Sequence, residues 1–305
     1  MTDLTELARR YDVFVKSDNC FKRRARVLQS MWRESRGYPM GAHGERPLGS
    51  RLPMPWARET LANYLTDTIR EVFRAEVLDN PESTQQVFQE PRIFTNLLSS
   101  QPLCFNLFGE LQRDLDLATA AMSNLAPDRI RRVTAIAFEY SPGRHDPRYT
   151  DDGSAFDVYA EFETPQGGDG FVGIEVKYSE DLRQQPASQR PRYDEVAGQM
   201  GCFRSKELGD LKARPLEQIW RDHLLAGSLR LQDGFDDGFF AFLYPRDNPR
   251  CTEAVSRYRQ CLRSDDTFVD WHLEDMVTAI QSQTDETWIQ EFFDRHLDFD
   301  KLPPE

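Results

Sequence analysis

Three charged residues in the middle of the chain have side chains suited to metal-assisted chemistry: Asp157, Glu175 and Lys177. Carboxylate oxygens are preferred ligands of Mg²⁺ and Mn²⁺, which proteins often hold through one or two carboxylates together with substrate phosphates. A lysine two residues after a metal-binding glutamate can hold a water molecule or stabilise negative charge that develops on phosphorus. The trio therefore predicts a Mg²⁺ or Mn²⁺ site that acts on a phosphate ester.

The residues around the trio alternate between apolar and polar side chains. This alternation runs through 156–164 and returns in 171–179, and the segment 165–170 between them is rich in turn-forming residues. The pattern predicts an antiparallel hairpin in which each strand buries one face. Odd-numbered residues of the two strands then share a face. We therefore expect Asp157 and Glu161 to lie beside Glu175 and Lys177, with the Val176 carbonyl as a further oxygen ligand.

This hairpin resembles the active-site core of the PD-(D/E)xK nuclease superfamily, which has the restriction-endonuclease-like fold. Asp157 takes the place of the motif's aspartate and residues 175–177 (EVK) take the place of (D/E)xK, although Phe156 stands at the proline position. The strings FEYSPGR, SAFD and GIEVKY look like a bacterial branch of restriction-endonuclease-like proteins. The resemblance implies a Mg²⁺-dependent (or Mn²⁺-dependent) nuclease that hydrolyses phosphodiester bonds. DNA is favoured over RNA as the substrate.

The same resemblance implies two site residues outside the hairpin. A helix before the sheet often supplies an acidic metal ligand in this superfamily, and Glu110 is the first carboxylate of the helix predicted at 101–125. In some members a glutamine on the helix after the (D/E)xK strand points at the active site. Gln218, or else Arg221, in the helix predicted at 215–230 resembles that residue, although the accompanying tyrosine is absent. The alternative for Glu110 is an ordinary surface glutamate on an amphipathic helix. Glu139, at the end of the first predicted strand, is a further candidate ligand or else an edge residue.

The order of predicted elements between 101 and 245 is helix, three strands, helix, strand. This is the α-β-β-β-α-β core of the superfamily, an α/β fold with a mixed central sheet and helical additions at both ends. The strands are predicted at 131–140, 156–164, 171–179, 237–244 and, after the core, 268–271. We expect a helical N-terminal extension at 1–100 that contacts DNA or a partner, a nuclease-like core at 101–245 and an acidic extension at 246–305 packed on that core.

Composition limits the other classes of function. The chain of 305 residues has no apolar run long enough to span a bilayer, and its N-terminus lacks the order of a signal peptide. Its five cysteines are scattered without zinc-ligand spacing, which predicts reduced thiols in a cytoplasm. His223 has no metal-pair spacing and is predicted to be structural. No P-loop, dinucleotide fingerprint or GxSxG motif is present.

The net charge of −13 is unevenly distributed along the chain. Residues 20–70 carry ten Lys and Arg against four Asp and Glu, whereas residues 264–305 carry two against twelve. The basic cluster, which we define as Lys22, Arg23, Arg24 and Arg26, is predicted to help position a phosphate backbone together with neighbours such as Arg33 and Arg36. The alternative is an ordinary solvated helix face.

Two other functions compete with the nuclease. The chain could be a DNA- or protein-binding module that kept the fold and lost turnover, or an acidic hairpin that binds Ca²⁺ without catalysis. Intact Asp157, Glu175 and Lys177 favour the nuclease, since a decayed site commonly loses one of them and a Ca²⁺ hairpin has no use for a lysine. A homodimer and a separate partner protein both stay open, as do DNA against RNA and endonuclease against exonuclease action.

Overall fold

The structure, a computed structural model, describes residues 3–80, 88–183 and 185–303. The chain forms two compact units. The first consists of residues 1–110 and 284–305, and the second of residues 111–283. Within the described part of the chain, no helix is long and apolar enough to cross a membrane.

The first unit is mainly helical. Its helix α2 packs against α1 and α13, and the short strands β1 and β2 form an antiparallel pair. Arg295 of α13 donates to the backbone oxygen of Asn63 at 2.8 Å and to the Gln29 side chain at 3.0 Å. The elements that begin in this unit are α1 (Leu4–Arg10), α2 (Cys20–Ser35), β1 (Gly41–His43), β2 (Arg46–Leu48), α3 (Met54–Thr60), α4 (Asp67–Phe73), α5 (Arg92–Thr95), α6 (Ser100–Arg113) and α13 (Thr287–His296).

The second unit is built on a five-stranded mixed sheet of order β3-β4-β5-β6-β7. The first three strands form an antiparallel meander, whereas β6 runs parallel to β5 and β7 runs parallel to β6. The elements are α7 (Leu115–Leu125), β3 (Arg132–Tyr140), β4 (Phe156–Glu163), β5 (Asp169–Val176), α8 (Pro191–Met200), α9 (Leu208–Leu211), α10 (Glu217–Asp233), β6 (Asp237–Tyr244), α11 (Pro249–Gln260), β7 (Phe268–His272) and α12 (Leu273–Gln281). This is the predicted α/β architecture with a mixed central sheet.

Local sequence explains where several of these helices begin and end. The Asp114 side chain accepts from the Leu117 amide at the start of α7, and Asn248 caps α11 in the same way. Prolines stand in the first turn of α8 and of α11, where no intrahelical amide donor is needed. Gly234 ends α10 at φ 75°, a left-handed conformation that glycine adopts without steric cost.

The prediction that each hairpin strand buries a single face is wrong for β5. Every residue of β5 after Asp169 is buried, and β6 is buried from Gly238 onwards. The reason is position, because β5 lies at the centre of the sheet between β4 and β6. Strands with both neighbours paired and both faces covered lose the alternation of exposure. β4 keeps it in part, since Asp157, Glu161 and Glu163 retain exposed surface.

Candidate active site

The strand register brings Asp157 opposite Glu175. Paired residues include Val158 with Ile174 and Tyr159 with Gly173, so odd-numbered residues face odd-numbered ones, as predicted. The same register continued by one residue pairs Asp157 with Glu175. The Asp157 Oδ2 atom accepts a hydrogen bond from the Val176 amide at 2.8 Å, which holds the carboxylate at the end of β5.

Lys177 directly follows the last residue of β5, and its backbone extends the hydrogen bonding between β5 and β6 by one bond. Its amide donates to the backbone oxygen of Leu243 in β6 at 2.8 Å. Its ammonium forms an ion pair with the Glu175 Oε1 atom. The two residues are 6% and 5% exposed, so this pair is shielded from water.

Helix α10 delivers Gln218 to the same carboxylate. The Gln218 Nε2 atom donates to Glu175 Oε1 at 2.6 Å. Helix α10 packs on β5 and β6, and Gln218 is its second residue. The structure thus brings together four of the five predicted site residues: Asp157, Glu175, Lys177 and Gln218.

Burial and neighbouring charges shift the acid–base behaviour of this group. Burial raises the pKa of Asp157 well above its usual range, repulsion from Glu175 adds to this, and attraction to Lys177 opposes it. Burial alone would lower the pKa of Lys177, but attraction to Glu175 and Asp157 outweighs it and raises that pKa. The two neighbouring carboxyl groups thus favour the ammonium form of Lys177.

The remaining candidate carboxylates have other surroundings. Glu110 belongs to the first unit and accepts from the Thr66 hydroxyl at 2.5 Å, so its role as a metal ligand stays a prediction. Glu161 pairs with Phe171 and accepts from the Tyr159 hydroxyl at 3.2 Å. Glu139 adopts a left-handed φ of 47° at the end of β3, and its charge also raises the pKa of Asp157. Of these three, Glu139 has the most direct electrostatic effect on the predicted site.

Asp222 is a residue that the sequence reasoning did not assign to the site. It lies on α10 four residues after Gln218 and is 2% exposed. Burial raises its pKa well above the usual range, as does repulsion from Glu175, while Arg221 and Lys177 lower it. Side chains four residues apart lie on one face of a helix. The four-residue spacing from Gln218 was therefore the signal in the sequence that could have assigned Asp222 to the site.

Two other polar residues of α10 have different surroundings. His223 is fully buried between the Tyr258 and Thr267 hydroxyls, at 2.8 Å from each, which confirms that it is structural. Arg221 lies 3.9 Å from Glu217 and 4.0 Å from Asp152, too far for hydrogen bonds. It lines a cavity of about 160 Å³ together with Gln218, Arg214 and Glu217.

The side chains at the end of β5 suit a divalent cation. Asp157 and Glu175 offer hard oxygen ligands, and two carboxylates are enough for Mg²⁺ when phosphates and water complete its shell. The Asp222 Oδ2 atom is buried without a hydrogen-bond partner among the described residues, which leaves an unused oxygen acceptor near Glu175. Across the described ranges, no group of three or more His, Cys, Asp or Glu residues has a metal-binding arrangement. Asp157 and Glu175 are the two side chains that would hold a cation here, and the Val176 carbonyl stays a predicted further ligand.

Comparison with known proteins places the chain in a family. No curated protein and no solved structure gives a significant match to the chain. A family model described as the PD-(D/E)XK nuclease superfamily matches residues 16–298, nearly the whole length. Members of this superfamily are generally nucleases, which supports an enzyme of the hydrolase kind. With that match, the mixed sheet and the motif residues at its centre, the chain belongs to the PD-(D/E)XK nuclease superfamily.

Proposed function

We propose that the protein is a Mg²⁺- or Mn²⁺-dependent nuclease that hydrolyses phosphodiester bonds in DNA. The observation that carries the proposal is the convergence of Asp157, Glu175, Lys177 and Gln218 at the ends of β4 and β5. A buried carboxylate and ammonium, with a second, partly exposed carboxylate beside them, are costly to a fold unless a ligand or a reaction uses them. Membership of a nuclease superfamily supports a catalytic use for these four side chains.

Each residue has a task that its position supports. Asp157 and Glu175 would hold the cation, and the cation would supply a polarised phosphate and an activated water. Lys177 keeps its proton and stabilises negative charge on the phosphate in the transition state. Gln218 fixes the orientation of the Glu175 carboxylate through its 2.6 Å hydrogen bond.

Cleavage assays test this proposal directly. Supercoiled, linear and single-stranded DNA, with RNA in parallel, would be incubated with the protein in Mg²⁺, Mn²⁺ or EDTA. We expect cleavage of DNA with either cation and none in EDTA. Asp157→Asn and Glu175→Gln should each lower the rate by at least about 100-fold, since each removes a ligand.

A matched control lies on the same strand as Asp157. Glu163 forms a surface ion pair with Arg132, so Glu163→Gln removes a carboxylate of β4 outside the site. Its cleavage rate should equal that of the parent. Cleavage that persists in EDTA, or a Glu175→Gln variant as active as the parent, would contradict the proposal. A parent that binds DNA without cutting it would favour the inactive binding module instead.

A further inference from the structure

Asp222 carries a buried oxygen that needs an explanation. The residue is 2% exposed, and its Oδ2 atom has no hydrogen-bond partner among the described residues. Such an atom costs stability, because it has left water without gaining a new donor. Asp222 lies one helical turn after Gln218, whose amide contacts Glu175. Asp222 is therefore on the face of α10 that is turned towards the end of β5.

The Glu175 carboxylate already has two partners at that point. Its Oε1 atom accepts from the Lys177 ammonium and from the Gln218 amide. In the proposed function, on which this inference rests, Glu175 also binds a divalent cation. A Glu175 carboxylate that coordinates a cation is a weaker hydrogen-bond acceptor, so its hydrogen bond with the Lys177 ammonium weakens. Because Lys177 is 6% exposed, water cannot readily replace the weakened hydrogen bond.

We propose that Asp222 is a positioning residue that takes over the Lys177 ammonium when Glu175 binds the cation. Its free Oδ2 atom is the acceptor that this exchange requires. The ammonium then stays buried, hydrogen-bonded and directed at the phosphate. Asp222 lies one helical turn after Gln218, and Gln218 and Lys177 share the Glu175 Oε1 atom, so the three side chains belong to one cluster around Glu175.

The test measures Mn²⁺ binding by titration calorimetry without DNA, so it does not depend on cleavage. The variants are Asp222→Leu, which removes the whole carboxyl group, and Asp222→Asn, which keeps one acceptor oxygen but cannot ionise. Each is made with Lys177 present and in a Lys177→Met background. With Lys177 present we expect Asp222→Leu to weaken Mn²⁺ binding by about 10- to 100-fold. This is the usual effect of replacing a residue that positions a metal-binding site without contacting the metal. Asp222→Asn should fall between this variant and the parent.

The Lys177→Met background separates the possible roles of Asp222. If Asp222 acts through the ammonium, both substitutions should leave affinity unchanged once that ammonium is gone. An equal loss in both backgrounds would make Asp222 a direct ligand and overturn the proposal, as would no loss in either. Asp233→Asn, on the same helix but bonded to Tyr149, controls for the change in net charge.

Two further controls keep the outcome interpretable. Circular dichroism checks folding, and the shape-conserving Asp222→Asn variant decides the question if Asp222→Leu does not fold. Failure of the proposed function has a different signature, in which the parent does not bind Mn²⁺ or Glu175→Gln binds it as tightly as the parent. That result would contradict the proposed function. Normal Mn²⁺ binding by the parent, with unchanged affinity in the Asp222 variants, would overturn this inference alone.

Discussion

Lys177 shows how a single residue can be charged in a place that disfavours charge. Burial would normally lower the pKa of a lysine, yet attraction to Glu175 and Asp157 raises it. The residue fits electrostatic stabilisation of the transition state, where a fixed positive charge is useful without any proton transfer.

Replacing this charge should affect catalysis more than DNA binding. Lys177→Ala is expected to lower the cleavage rate by about 100- to 1,000-fold, the usual effect of removing one group that stabilises the transition state. Single-turnover cleavage at saturating protein, with DNA affinity measured in parallel, checks the split. Lys212→Ala is the control, because Lys212 pairs with Asp194 on the surface. A Lys177→Ala variant that cuts as fast as the parent would reduce the lysine to a balancing charge.

At the level of elements, β5 depends on glycine for its close packing. A Cβ atom added at Gly173 would lie 2.3 Å from the ring of Phe156, and one at Gly170 would lie 2.3 Å from the ring of Phe162. These glycines leave room for aromatic rings of β4 over the backbone of β5. Phe156 directly precedes Asp157, so the packing of its ring also affects the position of a site residue.

Gly173→Ala should therefore destabilise the fold and slow cleavage together. Overpacking of this kind typically costs about 1–3 kcal/mol of unfolding free energy. Urea unfolding and cleavage rates would measure the two effects. Gly198→Ala on α8 is the matched control, since its added Cβ meets nothing within 4 Å and alanine favours a helix. Equal stability of the two variants would contradict a role for Gly173 in packing.

A second prediction at this scale concerns His223, which ties α10 to α11 and to Thr267. Burial lowers its pKa from 6.5 to about 3. Between these values the unfolded chain binds a proton that the folded chain does not. The unfolding free energy should therefore fall as pH drops from 6.5 towards 3, by at most about 1.4 kcal/mol per pH unit from this residue.

Denaturant unfolding between pH 7 and pH 4 checks this dependence on His223. The His223→Gln variant cannot bind the proton, so its unfolding free energy should decline less steeply than that of the parent. The comparison of slopes cancels the carboxylates that titrate in both proteins. Equal slopes would show that His223 does not set the acid sensitivity.

For the whole molecule, the net charge of −13 makes the basic cluster of α2 the natural place to look for phosphate contacts. The structure gives its arginines internal partners. Arg26 pairs with Asp18 at 2.5 Å, and Arg24 donates to the Phe299 backbone oxygen at 3.0 Å. Arg23 lies over the Phe14 ring, 5.5 Å from its centroid. These contacts favour a structural role, and the phosphate-binding role stays a prediction.

The two roles can be separated by measuring stability and salt dependence on the same variants. Arg26→Gln should lower the unfolding free energy by about 1.5–3 kcal/mol. The Asp18 side chain is only 4% exposed, and it would lose a charged hydrogen bond. Lys22→Gln combined with Arg23→Gln should flatten the log–log salt slope of DNA binding by about 0.9 for each phosphate that is no longer neutralised. An unchanged slope would make the cluster a structural helix face.

The sequence predicted what is periodic or local, and missed what depends on distant partners. The five sheet strands were predicted to within a few residues, because alternation and turn residues are short-range signals. The parity of the β4–β5 register followed from the same pattern. The double burial of β5 could not follow from it, because that depends on which strand becomes its neighbour on the far side. The partner of Arg24 lies 275 residues away, and no local pattern indicates it.

The hydrogen bond from the Val176 amide to the Asp157 carboxylate has a practical consequence. A backbone proton that is held by a proposed metal ligand reports on that ligand from inside the sheet. In amide hydrogen-exchange or NMR experiments, a cation that draws Asp157 Oδ2 away should speed the exchange of this amide and move its resonance. The Arg131 amide, bonded to the backbone oxygen of Glu163 at the other end of β4, serves as the reference away from the site. Occupancy of the site thus becomes visible without substrate, turnover or an attached label.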